Sequence, residues 1–410
     1  MRGRVLELSM AADPLNAIDG GAVGGQQVLV REMVRGLGQR GIGADVVTHD
    51  CGGATPRRSS LGPLSRVVRI GNGQGLPQSD ADWVVQASRL ADEVSEWIAK
   101  EGVEYRLIHS HFWISGMVAQ EVSRRLGLPW VHSPYKMAKW IHRSGQLLPA
   151  RRVEIERSLI NEVSAVVVAY LEEGELIHAD APRTPLYVIP PAVDSMTFFV
   201  RDAGPVLKGL GLTRRPVVYV GRLADGVGLK GVLKAMCQKR LPEEFTLVVV
   251  GGRLGEVSGG RARDPEFASL VQALGPHVQL VGPMPHAAVA QYCSAAVAVL
   301  APNQGPTLGM AVIEALASGR PVVGSRVSGV SDWIVPGLDG LLYDADDFSG
   351  MLEGCLSLWN HTERARTMGM AGYDKVHRQH SIEFMTEQLL RVYEEVMNDE
   401  RVKTGVGHGY

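Results

Sequence analysis

At 410 residues the chain exceeds one ordinary domain and suits two of about 200 residues each. Its 45% hydrophobic content and 48 glycines fit an α/β protein with many tight strand-to-helix turns and exclude a disordered or fibrous chain. A formal net charge of −2 excludes a global attraction to nucleic acid or anionic membrane, so any anion binding has to come from locally placed Arg and Lys.

The apolar run from Met1 to Met10 is too short for a signal peptide and meets Asp13 and Pro14 at once, so it reads as a first β-strand. It leads into Asp19-Gly20-Gly21-Ala22-Val23-Gly24-Gly25, where backbone can approach a ligand with no Cβ in the way. Helical spacing follows at Gln27 to Leu37. Short apolar runs at Val5 to Ser9, Asp45 to Thr48, Arg106 to Ser110, Trp130 to His132, Ala165 to Ala169 and Tyr187 to Ile189 predict strands. Their alternation with helical patterns predicts a parallel sheet. Arg57 and Arg58 fall in a Ser/Gly/Pro-rich stretch read as a loop. His109 and His111 close one strand, and His132 closes the next, ahead of Tyr135, Lys136 and Lys139. From Lys136 to Arg157, Trp140, Leu147 and Leu148 interleave with Arg143, Arg151, Arg152 and Arg157. Gly145 and Pro149 break this segment, which favours a ligand-facing wall or a salt-bridged helix over one lying on a membrane.

The architecture then repeats. Strands are predicted at Pro216 to Gly221, Phe245 to Val250, Val278 to Val281, Ala296 to Leu300, Pro321 to Gly324 and Gly340 to Tyr343. Helices are predicted at Gly231 to Gln238, Pro265 to Leu274, Ala287 to Ser294 and Leu308 to Ala317. The change falls near Arg201 to Arg215, giving domains at 1–200 and 201–378. A last helix within 379–398 is expected to pack across both lobes, and 399–410 to form a frayed tail. Two doubly wound sheets place ligands at the carboxyl ends of their strands, so function is expected in the strand-to-helix loops of a shared cleft. Cys51, Cys237, Cys293 and Cys355 have no metal-ligand spacing and read as buried free thiols in a reducing cytoplasm.

The strongest chemical signal is Pro302-Asn303-Gln304-Gly305-Pro306-Thr307-Leu308-Gly309-Met310, a Pro/Gly-rich loop passing into an apolar helix. Free N–H groups and the positive end of the helix dipole suit an anion there. Gly221-Arg222 and Lys230-Gly231, eight positions apart, offer a guanidinium fork and a compact ammonium that neutralise a diphosphate without metal. Gly226 to Gly231 formally matches GxGxxG, but Arg222 to Asp225 intervenes after the strand, and the next strand ends in Gly251-Gly252-Arg253 with no acid. An NAD-dependent dehydrogenase is therefore the weaker alternative. Asp344-Ala345-Asp346 reads as a helix cap rather than a metal site. The loop from Ser325 to Ser331 is placed to close over a nucleotide, with Asp332 as a neighbour.

Five of these segments, in order, resemble family 4 retaining glycosyltransferases. That family carries a Pro-Ser-x-x-Glu-Pro-Phe-Gly segment leading into a helix that ends Glu-Ala-x-Ala-x-Gly; Gly309, Glu314, Ala315, Ala317 and Gly319 fall in register, and Pro306 stands where the first glutamate should be. His109 to Gly116 resembles the family's His-x-His-x-x-x-x-Gly segment, and Met137-Ala138-Lys139, after Tyr135-Lys136, is similar to the member in mycothiol biosynthesis; antibiotic-pathway relatives are similar as well. The resemblance implies α/β architecture with two Rossmann-like doubly wound domains in the GT-B arrangement. It also implies metal-independent, retaining transfer from a nucleoside diphosphate sugar to a small-molecule acceptor. Attachment of an octose to the sulfur of ergothioneine, as in lincomycin-type biosynthesis, is one reaction of this kind.

By the same resemblance, His132, Arg222 and Lys230 are catalytic. Gly24, Gly25, Pro306, Thr307, Leu308, Gly309 and Glu314 join Arg222 and Lys230 at the donor, and His111, Tyr135, Lys136 and Arg152 face the acceptor. No metal and no cofactor are implied. The partners implied are the nucleotide sugar and the acceptor, with no nucleic acid, no membrane and an open possibility of a homo-oligomer. A noncatalytic nucleotide-sugar-binding partner is the other alternative, and retention of His132, Arg222, Lys230 and Glu314 argues against it.

Overall fold

The computed structural model describes residues 3–15, 24–50, 52, 56–71, 73, 77, 79–139, 150–223, 228–252, 257–258, 261–262 and 264–398. Asp19 to Val23, Trp140 to Pro149 with Arg143, Asp225 to Val227, Arg253, Cys51 and the tail from residue 399 lie outside the described residues. The chain divides into two units: Met1–Leu15, Gln26–Pro191 and Ile382–Tyr410, and Asn16–Gly25 with Ala192–Ser381.

The first unit holds an eight-stranded sheet in the order β3-β4-β2-β1-β5-β6-β7-β8. Its strands are β1 (Arg4–Leu8), β2 (Gly43–His49), β3 (Arg58–Gly62), β4 (Ser65–Ile70), β5 (Tyr105–His111), β6 (Trp130–Ser133), β7 (Ala165–Val168) and β8 (Leu186–Val188). All neighbours are parallel except β3, which runs antiparallel to β4, so Arg58 opens an edge strand rather than lying in a loop. The helices are α1 (Gly25–Gln39), α2 (Asp80–Glu101), α3 (Phe112–Leu126), α4 (Ala150–Glu162) and α5 (Leu171–Asp180).

No element is predicted for residues 80–101, yet they form the longest helix among the described residues, and its signals are local. Ser79 and Asp82 make a reciprocal capping box, Gly102 ends the helix at φ 62°, and Trp83, Ala87, Leu90, Ala91, Val94 and Ile98 form one buried stripe.

The second unit holds a six-stranded parallel sheet in the order β13-β10-β9-β14-β15-β16. Its strands are β9 (Val217–Gly221), β10 (Leu247–Gly251), β13 (Val278–Gly282), β14 (Ala298–Ala301), β15 (Val322–Ser325) and β16 (Gly340–Tyr343), with a separate two-residue hairpin β11 (Val257–Ser258) and β12 (Arg261–Ala262). Around it lie α6 (Gly204–Leu210), α7 (Leu229–Cys237), α8 (Pro265–Leu274), α9 (His286–Ala295), α10 (Met310–Ala317), α11 (Phe348–Asn360) and α12 (Thr362–Gln379). Phe245 and Trp359 meet edge to face at 5.8 Å in a core that includes Leu247, Val249 and Met351. The last helix, α13 (Ile382–Asn398), groups with the first unit.

Both sheets reverse their strand order once, between β1 and β5 and between β9 and β14, so each has a switch point beyond its strand ends where such sheets take ligands. Two local readings are corrected. The cap of α11 is Asp347, whose carboxylate accepts from the Gly350 N–H, not an acid of 344–346, because the residue directly before Phe348 is the one placed to cap. Of the described cysteines, Cys293 and Cys355 are buried free thiols, but Cys237 is exposed at the end of α7.

Candidate active site

In the first unit, the strand ends at the switch point carry a closed polar network. Glu7, on β1, is fully buried, and its Oε2 receives His111 Nε2 at 2.7 Å. The opposite ring nitrogen, His111 Nδ1, lies 2.8 Å from the Tyr135 hydroxyl, and the two rings stack at 5.9 Å. Tyr393 of α13 donates to Glu7 Oε1 at 3.2 Å, so its oxygen accepts from His109 Nδ1 at 2.7 Å. Burial, then the neighbouring His111 and His132, hold His109 neutral well below the usual histidine range. With its proton on Nδ1, Nε2 takes the Ser133 hydroxyl at 2.9 Å. Glu7, His109 and His111 thus bring potential metal-ligand atoms within 4.8 Å of one another, but those atoms are already spent on hydrogen bonds.

His132, one strand over, is 1% exposed, and its Nδ1 sits 2.8 Å from the Ser110 hydroxyl, which also receives the Trp130 indole N–H at 2.6 Å. Burial, reinforced by His111, pushes the ring down to about 3, so it is neutral at pH 7. Gly116 of α3 makes room for it, since a Cβ there would come 2.9 Å from His132 Cε1.

Two residues in this wall hold φ in the left-handed region, Phe112 at 73° and Tyr135 at 57°. Each costs about 1–2 kcal/mol, and such outliers cluster at functional sites. Tyr135 is held there by His111, and the turn after it by Arg152, which gives Nη2 to the Lys136 carbonyl at 2.7 Å, and by Glu156, which accepts the Ala138 N–H at 2.6 Å. Arg152 is itself buried, paired with Glu156 at 2.8 Å and stacked over Phe112 and Trp113 at 5.0 and 5.3 Å. Of the side chains expected to face an acceptor, His111, Tyr135 and Arg152 therefore build the wall, and Lys136 is the exposed one. Lys139 is a surface residue paired with Asp180 at 2.7 Å. Glu173 is buried on α5 near Tyr135, and burial pushes its carboxyl well up.

In the second unit, Gly309 precedes α10 at φ 70°, and no side chain caps the helix. A Cβ on Gly309 would overlap the Gly329 carbonyl oxygen, and one on Gly329 would overlap that of Thr307. The 302–309 loop and the 325–333 loop are therefore interlocked at backbone level. Thr307 N–H donates to the Ser328 carbonyl at 3.0 Å and the Trp333 indole to that of Leu308 at 3.3 Å. Asp332, expected as a ligand neighbour, braces the loop by accepting the Gly329 N–H at 2.6 Å. Pro306 lies half-buried in the same loop. Gly25, in the short segment grouped with this unit, lies against α10, where a Cβ would come 3.1 Å from Met310 Cγ; Gly24 precedes it.

Arg222 follows β9 with an exposed side chain, its backbone held by the Tyr219 hydroxyl, which donates to its carbonyl at 2.6 Å. Lys230 opens α7, whose N-cap Gly228 at φ 73° packs so closely on the Pro302 carbonyl that a Cβ would overlap it. The ammonium is paired with Asp264 at 3.1 Å and Glu266 at 3.3 Å. It lines a groove of about 540 Å³ together with Gln304, Lys234, Asp346 and Phe348. Glu314, nearly buried on α10, is engaged by His286 Nε2 at 2.8 Å. Glu7, Tyr393, His286 and Trp333 escaped sequence reading. A signal existed only for Glu7, a lone acid inside an apolar strand.

Residues 214–361 match the profile described as "Glycosyl transferases group 1", and residues 24–192 match "Glycosyl transferase 4-like domain". D-inositol 3-phosphate glycosyltransferase of Acidothermus cellulolyticus is 30% identical over 364 residues, covering 84% of this chain and 80% of that protein. The protein of the same name from Thermobifida fusca is 28% identical over 425 residues, covering 98% and 95%. Among solved structures, sucrose-phosphate synthase from Thermosynechococcus elongatus superposes with a TM-score of 0.86 at 24% identity, covering 96% of this chain and 99% of that one. Anabaena HepE in complex with UDP-glucose gives 0.74 at 17% identity, covering 96% and 100%. The fold is that of GT-B glycosyltransferases.

Proposed function

This chain belongs to the group 1 glycosyl transferases, and from that membership we propose that it moves a sugar from a nucleoside diphosphate sugar to a small-molecule acceptor. We propose further that transfer retains the anomeric configuration and needs no metal. The observation that carries the reading is the second switch point, where exposed Arg222 follows β9 and the interlocked loop after β14 delivers an uncapped helix start. A departing diphosphate needs positive groups placed in advance, and electrostatic stabilisation of that kind is worth about 3–4 kcal/mol per donor. Lys230 reaches a phosphate by exchanging partners. Its ion pairs with Asp264 and Glu266 are solvent-screened surface pairs, weak enough for a diphosphate to displace.

The wall of the first unit supplies the sugar and acceptor side of the proposal. Neutral His132, oriented by Ser110, has no hydrogen-bond partner for Nε2 among the described residues, which leaves that nitrogen for a sugar hydroxyl. Lys136 is the exposed cation next to strained Tyr135, suited to a polar or anionic acceptor. The relatives named for D-inositol 3-phosphate make inositol phosphates the first acceptors to test, with small thiols and antibiotic-pathway acceptors next.

Thermal shifts with UDP, GDP, dTDP and ADP identify the base, and a donor panel with product analysis follows. Binding of a nucleotide without transfer or hydrolysis across the panel would turn the reading to a noncatalytic partner. No shift with any of the four would sink the donor site. Pro306, lacking both a carboxylate and an N–H, marks a departure in sugar recognition. Pro306→Glu is expected to lower kcat/KM for the native donor about tenfold, and improved turnover would contradict the assignment.

A further inference from the structure

Arg215-Pro216 and Arg320-Pro321 stand immediately before β9 and β15, the two strands that flank β14. The lead-in of β14 ties them together. Val297 N–H bonds the Pro216 carbonyl at 2.8 Å, and Val299 N–H bonds that of Pro321 at 3.0 Å. The two arginines therefore stand at the amino ends of strands two places apart, roughly 10 Å across the sheet, and the charge of Arg215 acts on Arg320. Arg320 is only 8% exposed, its Nε is fully buried with no hydrogen-bond partner, and no carboxylate among the described residues forms an ion pair with it. Burial and then the charge of Arg215 lower it to about 10. Arg215, half-buried, gives Nη1 to the Ser294 carbonyl at 2.7 Å. The acid that favours its charge is Asp202, which already accepts the Gly204 N–H at 3.1 Å.

A buried guanidinium without an anion is among the least favourable arrangements a fold can hold. The carboxyl ends of α9 and α10, at Ala295 and Ala317, face this edge, but a helix end supplies only about half a negative charge. We propose that Arg215 and Arg320 form a binding site for a small phosphoryl oxyanion, inorganic phosphate or a phosphomonoester, at the amino edge of the second sheet. Two forks flanking the start of β14 can meet the tetrahedral array of acceptor oxygens such a group presents from two sides. The site is separate from the diphosphate-facing loops. β9 alone puts five residues between them, so Arg215 and Arg222 stand roughly 20 Å apart along an extended strand.

The test is the melting temperature of the full chain against inorganic phosphate at constant ionic strength set with sodium chloride. It is run in an Arg222→Ala, Lys230→Ala background so that the two cations at the donor end do not contribute. The expected result is a gain of about 3 °C or more at tens of millimolar phosphate. Adding Arg320→Met should abolish the gain, weaken phosphate binding at least about tenfold, and leave the phosphate-free melting temperature equal or higher. Glucose 6-phosphate and acetate form the comparison arms. A larger gain with the sugar phosphate assigns a phosphomonoester, an equal one assigns free phosphate, and an equal gain with acetate overturns the phosphoryl assignment. No gain beyond chloride overturns the site. So does a gain that survives Arg320→Met, or a phosphate-free melting temperature several degrees lower in that variant, which would show that the protein itself satisfies Arg320.

Discussion

Toward the carboxyl ends of β1 and β5, Glu7, His109 and His111 spend their ring nitrogens and carboxylate oxygens on one another and on Ser133, Tyr135 and Tyr393. At the ends of β9 and β14, by contrast, Arg222 is exposed and α10 starts without a side-chain cap. Both sheets reverse their order at the equivalent place, so topology does not distinguish them. What differs is whether polar groups find their partners inside the protein. A saturated network in a low-dielectric interior is rigid and holds a strained turn, while unsaturated positive groups at a surface wait for a ligand.

The contrast breaks most decisively at Arg222. Arg222→Ala is expected to lower kcat/KM by about 100-fold or more, equivalent to about 3 kcal/mol, while the melting temperature moves by about 1 °C or less. A large loss of stability with unchanged turnover would mean that Arg222 belongs to the scaffold instead. Next comes Gly309→Ala, which adds a Cβ at φ 70° against the Gly329 carbonyl. It should cost about 2–3 kcal/mol in urea unfolding, and a neutral result would show the two loops are not locked.

The saturated region is probed by pH. His132 falls from an ordinary 6.5 to about 3 in the folded protein. The unfolded chain therefore takes up a proton below about pH 6.5 that the folded one refuses, and stability is lost as pH falls through this window. At pH 5 the cost is about 2 kcal/mol for this ring, and His109 acts in the same direction. Urea titrations at pH 7 and pH 5 read it directly, and equal midpoints would show that these rings are hydrated. The smallest effect is expected for Tyr393→Phe, which strips one partner each from His109 and Glu7 and should cost about 1–2 kcal/mol. A loss of donor binding with full stability would place Tyr393 in the open region instead.

Much of the fold was legible because its signals are local. Most strands of both sheets and the start of α10 follow from side-chain period and from glycine positions within a few residues. The edge pair β3 and β4 was not: β3 is exposed and polar and gains strand form only by pairing with β4, and the short apolar run of β4 is broken by Arg66 and Arg69. At the site, Arg222, Lys230 and the Thr307–Gly309 loop were found by residue type and place. Their present partners were not: Lys230 with Asp264 and Glu266, and Glu314 with His286, are pairings across separate helices.

The sequence by itself determined the repeated βα order, the loop with proline at 306 and the membership that follows from them, since period, backbone sign and residue order are properties of short segments. Only the tertiary structure decided which polar groups are satisfied. Tyr393 meets Glu7 across 386 positions of chain, and Arg320 lies buried beside Arg215 without an acid of its own. Hydrogen bonds and Coulomb forces act over a few ångströms of space whatever the separation along the chain, so the sequence shows the groups and the fold chooses their partners.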